Sequence, residues 1–279
     1  MRIVIRALSL ALAASLVVLF ALACKSGDGG DQAYNADDKT SGDLVSADPV
    51  DVLAASGESF EEDVNSLQAE LQVNINVSGF KVSADSAMEF QAPDKMHATM
   101  DLTGLGTFEM LLLGKELYMN VPGQGWIQVS LEGAGLSELG LDASTLQQLM
   151  TDHGMVDYRS LVGQLNGQVD DLGQETVDGG SFRHYRAALD FAEMAAAFSD
   201  AFGATSDLNL DSVSGPLTLD VWVDQDTTLP HKMTANGEFA FGAGSMVFDA
   251  TMRFFGYNEP VEIPGAPADA VPFALAGGP

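Results

Sequence analysis
The chain has 279 residues, of which 40 are acidic and only 12 are Lys or Arg, giving a formal net charge of −28 at pH 7. Nucleic acid is excluded as a partner on this balance, because binding it needs clustered Lys and Arg to displace counterions. The same charge would repel anionic headgroups from most of the surface and keeps the folded part soluble. Fifteen Phe and 12 Met point either to a deformable apolar interior, since thioethers adapt to irregular shapes, or to an ordinary core.

At the amino terminus Arg2 and Arg6 precede an uncharged run from Ala7 to Ala23 and then Cys24, the single cysteine. A basic start, an apolar run and a small residue before the break are the marks of a signal peptide, over 1–23. A run of this length is at the short limit for a spanning helix. A lone cysteine in an exported chain has no internal disulfide partner, so it needs another reason to be there. Phe20-Ala21-Leu22-Ala23-Cys24 resembles a bacterial lipobox, with Ala21 where Leu is more usual. The resemblance implies diacylglycerol on the Cys24 thiol and cleavage before it. The alternative is an uncleaved anchor helix with an incidental cysteine. Residues 24–48 are rich in Gly, Asp and Ser with almost no large apolar side chain, which reads as a flexible acidic stalk.

One domain is expected over 49–264. From Pro49 to about Asn65 the spacing of Val50, Leu53, Phe60 and Val64 predicts a helix, with Ser56-Gly57 against it. At Leu67 the period changes to two: Leu67, Ala69, Leu71, Val73, Ile75 and Val77 share one face and Gln68 to Ser78 the other, a half-buried antiparallel strand. Returning strands follow at Val82–Gln91, Met96–Leu102, Phe108–Leu113, Glu116–Val121 and Gly125–Val129, making a meander of six. Helical features start at Asp142 and Asp157, each with an acidic residue in cap position. Val169–Val177 and Phe182–Leu189 read as a hairpin. Asp190–Phe202 reads as an apolar helix with Phe191, Met194 and Phe198 on one side, serving either as a lid or as plain packing. Strands at Leu217–Val223, His231–Phe241 and Ser245–Phe255 close the pattern. The stretch Tyr257–Pro264 is extended, and 265–279 is a Pro, Ala and Gly-rich tail. About eleven strands and a few helices predict an α+β fold: one strongly curved antiparallel sheet, a half-barrel, with helices covering its concave face.

Three segments resemble lipoproteins of the LppX/LprAFG type, whose fold is similar to the carriers LolA and LolB: Ala92-Pro93-Asp94-Lys95-Met96 with Gly114-Lys115-Glu116-Leu117-Tyr118 and Gly125-Trp126; Pro216-Leu217 to Asp224 with Leu229-Pro230; and the Tyr257–Pro264 stretch. The resemblance implies an open half-barrel enclosing an apolar cavity for acyl chains, and no catalytic residues. The lining candidates are Leu71, Val73, Ile75, Met96, Met100, Phe108, Met110, Leu112, Phe191, Met194, Phe198, Leu219 and Val221.

No catalytic constellation is visible. His97, His153, His184 and His231 have no HExxH or i, i+4 spacing, so surface or strand-end histidines are expected rather than zinc ligands. There is no GxSxG nucleophile. Asp224-Gln225-Asp226 and Asp207 to Asp211 lack EF-hand spacing and are expected to be a turn and a loop. Tyr118, Trp126 and Trp222 are placed either at a cavity mouth or capping the core. The expectation is a non-enzymatic, cofactor-free and metal-free monomer, anchored through Cys24 in a cell or outer membrane, facing the extracytoplasmic space and holding a lipid or lipidated ligand. The competing reading is a surface-displayed interaction or scaffold lipoprotein with a filled core and a protein partner.

Overall fold
The structure, a computed structural model, describes residues 47–131, 169–190, 213–241 and 244–272. The signal peptide, Cys24, nearly all of the stalk, the helices expected from Asp142 and Asp157 and the apolar helix after Asp190 lie outside the described residues. Among the described residues no helix is long and apolar enough to cross a membrane.

Helix α1 spans Pro49–Asp63. Its start is set chemically: Asp48 accepts from the Val50 N–H at 2.9 Å, and Pro49 occupies the first turn, where its missing N–H costs nothing. The helix runs through Ser56-Gly57 because both residues are buried, where a small Ser and a bare Gly backbone allow close packing that overrides propensity.

The strands are β1 (Ser66–Val77), β2 (Phe80–Gln91), β3 (Lys95–Leu102), β4 (Gly106–Leu113), β5 (Glu116–Val121), β6 (Gly125–Ser130), β7 (Val169–Val177), β8 (Gly180–Asp190), β9 (Val213–Ser214), β10 (Pro216–Val223), β11 (Pro230–Phe241), β12 (Gly244–Phe255) and β13 (Val271–Pro272). They form one open, curved, 13-stranded sheet in the order β13-β6-β5-β4-β3-β2-β1-β12-β11-β10-β8-β7, with β9 beside β11. Eleven are six residues or longer, as the sequence pattern predicts, and the two-residue β9 and β13 are additions. Every pairing is antiparallel except β13 with β6. β13 arises within 265–279, where the sequence suggests only a tail.

The centre of the sheet is β1, paired along its length with β2 and β12. Its first turn is two residues, Ser78 at φ 50° and Gly79 at φ 92°, the left-handed pair that matches strand twist in a tight hairpin. Gly237 in β11 leaves room for the Phe239 ring, because a Cβ there would lie 2.3 Å from Phe239 Cζ. At the far end of β12, Asn258 ties the α1–β1 junction: its Oδ1 accepts from the Asn65 N–H at 2.7 Å and its Nδ2 donates to the Asp63 carbonyl at 2.8 Å.

α1 packs on the apolar face of this sheet. Phe60 meets Phe254 edge-on at 5.7 Å and Tyr257 at 6.1 Å, and Val52, Leu53 and Phe60 join Leu67, Leu71 and Val73 in one core. Of the helices expected over this face, α1 is the described one. Replacing Phe60 by Ala should cost about 3–5 kcal/mol, read as a lower urea midpoint at unchanged slope, whereas Asp48→Ala should cost about 1 kcal/mol through the lost cap.

Candidate functional site
Register across the sheet decides which side chains share a face. Starting from Leu71 on β1, the paired rows reach Met252 and Met233 on one side, and Ser86, Met100 and Phe108 on the other. Followed throughout, these pairings place Met88, Met96, Met100, Met110, Met119, Met233, Met246 and Met252 on a single face, eight of the chain's 12 methionines. Met88, Met233 and Met252 are buried, and the other five are half-buried.

The ten described candidates from the sequence all fall on this face. Leu71, Val73, Ile75, Leu219 and Val221 are buried in the core shared with α1. Leu112 is buried in a smaller cluster with Val129 and Leu131. Met96, Met100, Phe108 and Met110 are half-buried against these clusters. Cys24, Phe191, Met194 and Phe198 lie outside the described residues. The sequence reading missed Met88, Met119, Met233, Met246 and Met252, as well as Leu117 and Ile127, although counting by two along each strand would have found them. This face is therefore a continuous apolar surface, fully packed over β1 and β10 and half-buried over β3–β5. Its half-buried part is mostly methionine, unbranched and polarizable, a chemistry that adapts to flexible apolar chains.

Tyr118, Trp126 and Trp222 are on the opposite face, so none lines the methionine surface. The reason is parity: each is at an even position in a strand whose odd positions face inward. Tyr118 is buried there opposite Leu111, and Trp222 is buried in a charged cluster. His184 stacks on the Trp222 indole at 4.2 Å, while its Nδ1 faces Glu175 at 2.8 Å and its Nε2 faces Asp220 at 2.7 Å. Trp222 donates to Glu175 at 2.9 Å, Arg186 donates to Asp220 at 2.8 Å, and Lys232 lies 4.6 Å above the indole. His97 bridges strands in the same manner, 2.9 Å from Glu109 and 3.6 Å from Glu89. His231 stacks on Phe182 at 4.1 Å at the start of β11.

The expectation of surface or strand-end histidines thus holds for His231 but not for His184, which is buried in mid-strand because two carboxylates and an indole enclose it. His153 lies outside the described residues. A depression of about 230 Å³ opens on this polar face around Ala87, Thr99, His97 and Phe255. Asp224 forms a turn, its Oδ1 accepting from the Asp226 and Thr227 N–H groups at 2.9 Å each, so this carboxylate is committed locally. Among the described residues no group of His, Cys, Asp and Glu is arranged to hold a metal ion.

No family model matches the chain, and no curated protein matches it. Among solved structures, LprF from Mycobacterium bovis superposes with a TM-score of 0.45 at 18% identity, covering 77% of this chain and 95% of that one. The Mycobacterium tuberculosis lipoprotein LppX gives 0.43 at 19% identity, covering 78% and 100%. A LolA superfamily protein from Nitrosomonas europaea gives 0.27 at 10% identity, covering 73% of this chain and 92% of that one. The first two are of the type that the three sequence segments resemble.

At the outer edge of the methionine face, the buried Tyr185 phenol is pushed up to about 12, first by burial and then by the charge of Asp171, with Arg183 opposing. The folded state therefore holds this proton more tightly than the unfolded chain. Its stabilising contribution is complete below the ordinary tyrosine value of about 10 and is lost as pH rises toward 12. Absorbance at 295 nm should show one of the five tyrosines titrating last, with the unfolding midpoint falling over the same window and flattening in Tyr185→Phe. Separately, Asp220→Ala should cost about 1–3 kcal/mol in chemical denaturation, because the buried His184 keeps Glu175 but loses its second carboxylate partner while the half-exposed Arg186 turns to solvent.

Proposed function
We propose that this chain is a lipid-anchored, extracytoplasmic carrier that shelters lipid acyl chains against its methionine face. The observation that carries the reading is the segregation of eight methionines onto one face, five of them half-buried. A core that only had to be stable would gain more from branched side chains with defined rotamers. Unbranched thioethers suit an occupant whose shape varies. Acyl methylenes transferred onto such a surface contribute about 0.8 kcal/mol each, so tight binding needs no directional contact.

In this reading Met96, Met100, Phe108 and Met110 line the cavity together with Met119. The helices expected from Asp142, Asp157 and Asp190 complete the cover of a concave face, with Phe191, Met194 and Phe198 contributed by the last. Cys24 carries the acyl anchor, residues 25–48 supply reach, and the carrier works as a monomer without cofactor or chemistry. The buried ion pair of His184 and Asp220 lies across strands on the opposite face, away from any acyl chain.

The test is native mass spectrometry and organic extraction of residues 25–279 from a lipid-containing host, followed by titration with a fluorescent fatty acyl probe. A bound acyl lipid is expected, and Met110→Asp should weaken the probe at least tenfold while Thr99→Asp on the polar face leaves it unchanged. A clean apo mass with no probe binding would instead point to a filled-core interaction module. For the anchor, Cys24→Ser should abolish the acyl mass increment and move the full chain from the detergent phase to the aqueous phase.

A further inference from the structure
The two ends of the sheet differ in charge. At one end are the turns Ser78–Gly79 between β1 and β2, Thr103–Leu105 between β3 and β4, and Pro122–Gln124 between β5 and β6. None of these residues is ionisable, in a chain carrying 52 charged side chains. Every hairpin turn at the other end carries charge: Asp94 after β2, Lys115 after β4, Asp178 after β7, and Asp224 with Asp226 after β10.

The end with the uncharged turns also exposes large apolar side chains. Phe80, the residue after the first turn, is 61% exposed, Leu105 is 37% exposed, and Val247, paired with Asn76 just below the first turn, is 47% exposed. Trp126 is half-exposed as the second residue of β6, two residues beyond the third turn. The turns are neighbours: Pro122 lies 3.5 Å from where a Gly106 Cβ would stand, and Ser83 bonds Thr103 across the side chains at 2.5 Å. β1 and β2 lead into this end, so an open apolar rim stands where the methionine face terminates.

We propose that this rim contacts the bilayer surface, with Phe80 and Leu105 entering the acyl region and Trp126 at headgroup level. Charge selects the occupant. A chain at −28 is repelled by anionic headgroups, and desolvating carboxylates is costly, so the end whose described turns carry no ionisable residue is the one that approaches lipid most closely, with Lys81 beside Phe80 at headgroup level and Asp101 and Glu238 set back along the strands. Exposed Phe and Leu flanked by Trp is the composition that partitions into a membrane interface. The rim goes beyond the carrier reading and stands without it, since a filled-core protein would dock in the same way.

The test adds the full chain to vesicles of phosphatidylcholine with brominated acyl chains and follows tryptophan emission. The chain has two tryptophans, and Trp222 is buried at the charged end, so contact quenching reports Trp126. Emission should fall at least twofold, and the fall should vanish in Trp126→Phe. Phe80→Asp and Leu105→Asp should each restore emission, Phe255→Asp on the polar face should not, and replacing half the lipid by phosphatidylglycerol should weaken the effect at low salt. Unchanged emission in the parent chain, or quenching in the two rim variants as strong as in the parent, overturns the proposal. So does a dimer in sedimentation that Phe80→Asp converts to monomer, which would assign the rim to a second copy. Loss of acyl-probe binding with rim quenching intact would remove the carrier reading alone.

Discussion
The architecture depends on the pairing register of β1. This strand pairs along nearly its whole length with β2 on one side and β12 on the other, and through them it sets the parity of the strands beyond. Side chains alternate with a period of two, so a slip by one residue would turn Leu67, Ala69, Leu71, Val73 and Ile75 to solvent and bring Gln68, Glu70, Gln72 and Asn74 inward. The buried row of β1 and the buried Phe90 and Phe254 on its two neighbouring strands make that slip costly. α1 adds to the penalty, since Phe60 is fitted to Phe254 in one register only. The methionine face exists because this register holds.

The opposite face answers a different problem. Forty acidic residues against 12 basic ones leave few cations to share, and on this face carboxylates also take His184 and the Trp222 indole as partners. His184 touches Glu175, Asp220 and Trp222, while Lys232 covers the same indole from the next strand. Asp220, buried in mid-strand, is held by both His184 and Arg186. Burying charge is tolerated only when partners remain within hydrogen-bond reach, and here they come from adjacent strands. The polar face thus reinforces the pairing of β7, β8, β10 and β11 instead of merely solvating it.

Much of this was legible in the sequence, for a physical reason. Alternation in a one-sided sheet is a strong local signal, so the strand from Leu67 and the meander after it are found within a residue or two of their observed limits. α1 was readable from Pro49 and its apolar spacing, although Ser56-Gly57 argued against it until burial explained both. What the sequence hid depends on partners distant in the chain. β13 is two residues that pair only because β6 is an open edge, and the enclosure of His184 joins three strands separated by tens of residues. Tyr118 and Trp222 were ambiguous because an aromatic ring suits either face, and only register assigns the side.

An open sheet also has ends across its width, and β7 is one of them. Its backbone would be a template for another strand, a route to aggregation that natural sheets block with charge and irregularity. β7 has both: the register shifts between Asp171 and Gly173, and Asp170, Asp171 and Glu175 line the strand. Asp171 is committed to Arg183 and to the Gly173 N–H, which hold its carboxyl below the usual range despite partial burial. The kink is therefore locked by an ion pair rather than left to fluctuate. Copies crowded side by side can press their free edges together without continuing one another's sheet.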